Sequence, residues 1–560
     1  MKNSVIRVFI NRCSFISLDR LRALGASFAA AVLGALLLLA LFEPQRALHA
    51  ALPEPLRPFR PLPMRLLNAL NLATSTVFGA ELVALDAAAL LAQSCDVFNA
   101  ETGATAGAPC DWGDAEWGSS WREGYAVLID SLRDEAELTL IGRIFATHRL
   151  EMVLAQRLRL VAYWKRGTPS GDAVRADSTK LAPPLFVVGL PRTGTSFLHS
   201  LLSRDTANFR SPLNWMVVDP VPPLFGRVGD GASPVEGEDP AFAALRAERI
   251  ATAQSNLAQF KAIAPGVDAQ HAMTAFRPEE CIVMFAHSFS AGFEFITYFN
   301  VPSFGDWLAS RRDFTDAFKW HRQMLRHLGS TVAVPKSKPK AWVLKTPFYT
   351  AMLADLVAEH PEARIVMTHR RPIRSMASLN SLQMKLRSVA SDKASPRGIA
   401  NETFAQWDVF AGRAVGVREE WAAGEAVCGG RGGALGGGSG AASSDASAQA
   451  CSAEKRGSRA PGGGLADVEL SELHTSPMRA VRRIYAELDL TLSAEAVKKM
   501  ETWLAVNSRE KHGKNNYSPE WFGPEFKYLD GDAGREALEK RPGLQRYDDF
   551  FCGMYPRSCA

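Results

Sequence analysis

Pro184-Leu-Phe-Val-Val-Gly-Leu-Pro-Arg-Thr-Gly-Thr-Ser-Phe-Leu-His199 decides the fold of this 560-residue chain. Leu185–Leu190 is an uninterrupted apolar run with the length of a strand buried on both faces. A Gly/Pro turn follows, and a helix is expected to open at Gly194 and run through Leu198, Leu201 and Leu202. Such a turn aims unpaired backbone N–H groups and the positive end of the helix dipole at one point, which suits a phosphate. Gly189, four residues, Gly194 and then Thr195-Ser196 nearly reproduce a P-loop. The Lys that a nucleoside triphosphate requires is a Thr at position 195, and the cation, Arg192, has moved into the loop. That change argues against cleaving a γ-phosphate and for holding another phosphate-bearing nucleotide.

Two later segments repeat the strand-then-cation pattern. Ala341-Trp-Val-Leu-Lys-Thr-Pro347 reads as a strand ending on Lys345, with a helix expected over Tyr349–Glu359. Pro361-Glu-Ala-Arg-Ile-Val-Met-Thr-His-Arg-Arg-Pro372 holds a second buried strand at Ile365–Met367. Arg370 stands at its end, Pro372 pre-sets a helix start, and Ser378 lies two turns on.

At this point the chain resembles the sulfotransferases that use 3′-phosphoadenosine 5′-phosphosulfate (PAPS), in the large branch common in bacteria and algae. The motifs that carry the resemblance are Gly189-Leu-Pro-Arg-Thr-Gly-Thr-Ser196, Pro278-Glu-Glu-Cys281, Trp342-Val-Leu-Lys-Thr-Pro347, His369-Arg-Arg-Pro372 and His512-Gly-Lys-Asn-Asn-Tyr-Ser518. It covers about Trp117 to Tyr555 apart from one insertion. It implies an α/β fold with a P-loop-like central parallel sheet, helices on both faces and helical additions. Arg192, Thr193, Gly194, Thr195 and Ser196 would hold the 5′-phosphosulfate. Arg370 and Ser378 would hold the 3′-phosphate, and the basic loop with Lys511, His512 and Gly513 would close over it.

The implied reaction moves a sulfuryl group to a hydroxyl. Charge builds on the bridging phosphate oxygen, so cations aimed there carry the largest share of the work. Arg192 and Lys345 are the candidates. A general base is also wanted, and here the chain departs from its relatives. Cytosolic members place a His two residues after the strand Lys, where this chain has Pro347, and many closer relatives have a Glu where it has Met216. His271 is the favoured base, with Asp219 and Glu280 as alternatives. His199, on the helix after the loop, reads as structural. A catalytically silent PAPS-binding protein and a P-loop kinase are the competing readings. The kinase would need a Lys at 195 and a carboxylate for Mg²⁺ at a strand end, where Lys345 and Arg370 stand instead.

The remaining chain suggests a membrane enzyme. Residues 1–22 form a basic tail, expected in the cytosol. Ala23–Phe42 is twenty residues without a charge, long enough to span a bilayer as a signal-anchor helix. Residues 43–70, rich in Pro, Arg and Leu, read as a stem, and 71–180 as a helical preface to a sulfotransferase domain at 181–560. A second helical block at about 240–330 is expected to cover the acceptor. Residues 424–465 are nearly all Gly, Ala and Ser and read as a disordered insertion. Six cysteines fall into close pairs, Cys95/Cys110, Cys428/Cys451 and Cys552/Cys559, a pattern that favours disulfides and an oxidising lumen. Cys281 reads as a buried free thiol. No pair has metal-ligand spacing, so no metal is expected. A Golgi membrane enzyme of type II topology follows, with another endomembrane or a plastid as alternatives. Its acceptor would be a glycan or polysaccharide hydroxyl, with a lipid, a small metabolite or a tyrosine left open. A net charge of +5 decides nothing at this length, and no nucleic-acid partner is expected.

Overall fold

β1 (Leu185–Gly189) lies at the centre of a five-stranded sheet, flanked by β3 (Ala341–Lys345) on one side and β4 (Arg364–His369) on the other. β2 (Phe209–Arg210) pairs outside β3, and β5 (Leu465–Glu469) outside β4. The order is β2-β3-β1-β4-β5, and every pairing is parallel. The computed structural model describes residue 34 and residues 50–78, 81–166, 181–224, 239–330, 340–423, 461–507, 517–527 and 532–559. The expected anchor at 23–42 (Gly34 apart), the pair Cys428/Cys451 and the loop Lys511-His512-Gly513 lie outside these residues. Among the described residues no helix is long and apolar enough to cross a membrane.

The sheet is covered on both faces, as its unbroken apolar strands require. Alternate residues divide between two cores: Phe186, Val188, Trp342, Leu344, Ile365 and Met367 enter one, and Leu185, Val187, Val343 and Val366 enter the other. The first core is closed by the long helices Pro372–Ala390 and Pro396–Ala422 and by the preface helices Ser120–Asp134 and Leu140–Arg166. The second is closed by Thr195–Leu202, Pro477–Glu487 and Ala494–Val506. Burying each such Val, Leu or Phe stabilises the fold by roughly 1.5–3 kcal/mol, so the strand run is itself the main local reason for the sheet. The chain fills the sheet to one side of β1 and then crosses to the other at β4. Ligands sit at such a switch point, above the carboxyl ends of the strands.

Helix starts follow the sequence signals. Pro372, Pro396 and Pro477 each occupy the first turn, and Ser395 caps its helix by accepting from Gly398 N at 3.3 Å. The segment after β3 differs from expectation: Pro347–Thr350 is a 3₁₀ turn, and the α-helix begins at Leu353. Thr346 caps that turn through Phe348 N, so the tight turn intervenes before the helix.

Two boundaries also shift. The expected stem is partly built into the body: Leu62–Phe78 is a helix, and Arg60 donates to Asp392 Oδ1 at 2.6 Å and to Ser388 O at 2.7 Å. The insertion ends earlier than composition implied. Gly462 N donates to Pro361 O at 2.8 Å, and β5 begins at Leu465. Disulfides join Cys95 to Cys110 and Cys552 to Cys559, and Cys281 is a buried free thiol, all as expected.

Candidate active site

The loop between β1 and Thr195–Leu202 is held by its own backbone and by β4. Gly189 has φ +142°, and a Cβ there would stand 2.4 Å from Thr368 O. Thr193 is buried; its hydroxyl donates to Leu190 O at 2.6 Å and lies 2.6 Å from the Thr368 hydroxyl. Arg192 adopts a left-handed φ of 66°. A non-glycine residue there costs about 1–3 kcal/mol and persists only when its surroundings fix it. Arg370 supplies part of that fixing by donating from Nη1 to Arg192 O at 3.2 Å. Gly194, at φ +94°, ends the loop and opens the helix without a side-chain cap, leaving its first N–H groups free for a ligand.

Side chains from three motifs meet over this helix end. Arg192 Nε donates to Ser378 Oγ at 3.1 Å, and Nη1 donates to Gln270 O at 2.9 Å. Lys345 Nζ, at the end of β3, donates to Ser196 Oγ at 2.9 Å and forms an ion pair with Glu280. The residues expected at the two phosphate subsites are therefore in direct contact.

Glu280 reaches Lys345 because Pro278–Cys281 is strapped across the end of β3. Glu279 N donates to Pro212 O at 2.8 Å, and Cys281 N donates to Lys345 O at 2.9 Å. The Glu279 carboxylate accepts from Asn214 Nδ2 at 2.7 Å and from Glu280 N at 2.8 Å, so it braces the strap. Burial pushes Glu279 up. Burial also pushes Glu280 up, but Lys345, His271 and Arg192 outweigh it and hold that carboxyl below the ordinary glutamate range.

His271 belongs to the same cluster. Burial pushes it down to about 4, against the pull of Glu280 and with the push of Lys345, Arg277 and Arg192. It is therefore a neutral imidazole at pH 7. Asp219 goes elsewhere: it pairs with Arg249 at 3.1 Å. His199 is buried and bonds Val343 O at 3.1 Å, and burial lowers it to about 3, in keeping with a structural role. Tyr517, from the late motif, lies near enough to Arg192 to act on its charge.

Three participants escaped the sequence reading. Gln270 O anchors Arg192, Thr368 anchors Thr193, and Arg277 adds a further cation while donating to Ala272 O at 3.0 Å. Backbone carbonyls carry no sequence signal. Arg277 could have been found from its place just before Pro278-Glu-Glu-Cys281. Among the described residues no group of three or more His, Cys, Asp or Glu could hold a metal.

A parallel sheet, a P-loop-like turn without its Lys, and an Arg/Lys/Ser cluster at the strand ends define this α/β protein. Residues 183–425 match the sulfotransferase family model. The chain is similar to the crystal structure of the sulfotransferase STF1 from Mycobacterium tuberculosis H37Rv, with 26% identity and a TM-score of 0.53 over 79% of this chain and 98% of that one. It shares its fold with sulfotransferase STF9 from Mycobacterium avium, at 22% identity and a TM-score of 0.54, over 80% of this chain and 95% of that one. No curated protein matches the chain.

Proposed function

We propose that this protein transfers a sulfuryl group from PAPS to a hydroxyl acceptor. The observation that carries the reading is the junction of Arg192, Ser378 and Arg370, two loop-and-strand motifs joined by hydrogen bonds of 3.1 and 3.2 Å. Three cations, two serine hydroxyls and a free helix N-terminus suit a bisphosphorylated nucleotide. When bound, PAPS supplies an electrophilic sulfuryl group on a phosphate leaving group.

The chain's own residues then divide the work. Backbone N–H groups at the start of Thr195–Leu202 hold the 5′ end. Arg192 and Lys345 neutralise charge at the bridging oxygen, with Ser196 fixing the Lys345 ammonium. Arg370 and Ser378 hold the 3′-phosphate. We assign the acceptor proton to Glu280, which touches Lys345, in preference to His271, a neutral ring that the two transfer cations influence through their fields. Ion pairing keeps Glu280 ionised and so able to accept.

Ala23–Phe42 would anchor the protein as a signal-anchor, with the catalytic domain in the Golgi lumen. Support comes from the two disulfides, which persist in an oxidising compartment. A glycan or polysaccharide hydroxyl is the acceptor that suits that setting.

Calorimetry with 3′-phosphoadenosine 5′-phosphate (PAP) beside ATP, on wild type and Arg370→Ala, tests the donor site. Tight PAP binding, weak ATP binding and more than about a tenfold loss in the variant are expected. A preference for ATP with Mg²⁺ would return the chain to the kinase reading. Binding without sulfuryl transfer to any of a panel of desulfated polysaccharides would favour the catalytically silent one.

A further inference from the structure

The helix Leu62–Phe78 is turned inside out. Leu62 is 59% exposed, Leu66 39%, Leu67 38% and Leu72 48%, and Phe59 just ahead of it is 44% exposed. Asn71 and Thr74, in contrast, are each 7% exposed. Asn71 Nδ2 donates to Glu81 Oε2 at 3.4 Å, and Glu81 Oε1 accepts from Arg143 Nη2 at 2.8 Å. Arg143 belongs to Leu140–Arg166, the helix against which this one packs. Thr74 Oγ1 donates to Asn71 O at 2.9 Å. The polar side thus faces the protein and apolar side chains face outward, the reverse of a helix bathed in water. In the sequence, Leu62, Leu66, Leu70, Ala73 and Val77 recur at the spacing of one helical face.

The neighbouring chain says what covers this face. Only residues 43–49 separate the uncharged run Ala23–Phe42 from the described chain at Ala50. Seven residues reach at most about 25 Å when fully extended. The chain then turns on itself, with Arg57 donating to Leu52 O at 2.9 Å and Ala50 O at 3.1 Å. Arg60 fastens the entry of the helix to Ser388 and Asp392 of the body. A bilayer that holds residues 23–42 therefore lies within reach of the apolar side, while the body occupies the polar side.

We infer that Leu62–Phe78 lies in the plane of a lipid bilayer surface, with Leu62 and Leu66 seated at the headgroup–acyl boundary. This rests on the reading of residues 23–42 as an anchor. The same helix, fixed to the preface by Asn71, Glu81 and Arg143, holds the catalytic domain in one orientation to the membrane.

The test uses the full chain in phosphatidylcholine/phosphatidylglycerol vesicles, with photoreactive Leu66→benzoylphenylalanine and, separately, Leu62→benzoylphenylalanine. Irradiation should give lipid adducts at both positions, at least about fivefold above the same probe at Val506, an exposed apolar residue of another helix. Adducts to a second copy, or to residues 23–42 of the same chain, would overturn the inference, as would equal lipid labelling at Val506. Alkaline carbonate extraction of the wild type reads the anchor separately. Retention with protein-only adducts removes the interfacial helix and keeps the anchor. Extraction with lipid adducts removes the anchor and keeps the helix.

Discussion

Replacing Glu280 by Gln separates the proposed base from its scaffold. The carboxylate is mostly buried, paired with the Lys345 ammonium and within the fields of His271 and Arg192. Gln keeps the volume and one acceptor oxygen for Lys345, so the strap over β3, held by backbone bonds to Pro212 and Lys345, should survive. What is lost is a group able to take a proton. A positioned general base contributes about 10²–10⁴-fold, or roughly 3–5 kcal/mol of barrier, and kcat should fall by that factor. Removing a negative charge beside a phosphate subsite should leave PAP affinity unchanged or tighter. His271→Gln, which alters a neutral ring in the same cluster, should cost less than about tenfold on the same scale.

The assay is PAP release from PAPS with a desulfated polysaccharide acceptor, with PAP binding measured in parallel by calorimetry. The pH profile adds an independent reading. Glu280 is held below the ordinary glutamate range and His271 at about 4, so neither supplies an acid limb at neutrality. The acid limb of kcat/KM should therefore lie below about pH 5. Three results would refute the assignment. Glu280→Gln could retain kcat within about fivefold, it could lose PAP affinity in step with rate, or wild type could show an acid limb near pH 6–7.

Other consequences follow from the same contacts. Lys345→Met leaves Glu280 buried without its partner and should destabilise the protein by about 3–5 kcal/mol; adding Glu280→Leu should restore most of the denaturant midpoint and none of the activity. Gly189→Ala forces a Cβ to 2.4 Å from Thr368 O at a φ of +142°, and should lower the melting temperature and weaken PAP binding together; an unchanged melt contradicts this. Buried histidines that resist protonation govern acid stability. Burial lowers His199, His287 and His321 to about 3, His327 to about 4 and His360 well below the usual value. Below pH 6.5 the unfolded chain binds protons that the folded one refuses, so each costs up to about 1.4 kcal/mol of stability per pH unit as pH falls. Tm should be level from pH 8 to 7 and drop steeply from 6.5 to 5; a Tm flat down to pH 5 contradicts this.

How much of this could be read from the sequence depends on whether the deciding interaction was local. The loop Gly189–Ser196 was legible because strand, turn and helix are neighbours in the chain. Arg370 and Ser378 were legible for the same reason, eight residues apart on a strand end and its helix. The base was not. His271 and Glu280 are near each other in sequence, and nothing local says that Glu280 is the one brought onto Lys345. That choice is made by Glu279 N on Pro212 and Cys281 N on Lys345, bonds that exist only once β3 is in place. The segment 50–70 was misread for a similar reason. Its Pro and Arg content resembles a stem, but Arg60 finds Asp392, 332 residues away.

The His369-Arg-Arg-Pro372 motif illustrates both sides. Its position at a strand end was evident, but the division of labour among its three basic residues was not. His369 Nε2 bonds Asp467 Oδ1 at 2.7 Å, and Nδ1 bonds the Tyr547 hydroxyl at 2.9 Å. Arg418 forks onto the same Asp467 at 2.8 Å on both oxygens. Burial pushes Asp467 up, but these bonds outweigh it and hold the carboxylate far below its usual range. Arg371 pairs with Asp548 at 2.7 Å. Both neighbours of Arg370 are thus committed to the body of the protein, largely through the C-terminal helix Pro542–Met554. Arg370 itself is turned to the loop and to Arg192. A rigid guanidinium fork discriminates a phosphate only if its backbone cannot rotate. The flanking pairs supply that rigidity, so Asp548→Asn should weaken PAP binding without touching the ligand. Its signature is a rise in the Kd for PAP with kcat at saturating PAPS preserved. A parallel fall in both would instead mark a general loss of structure.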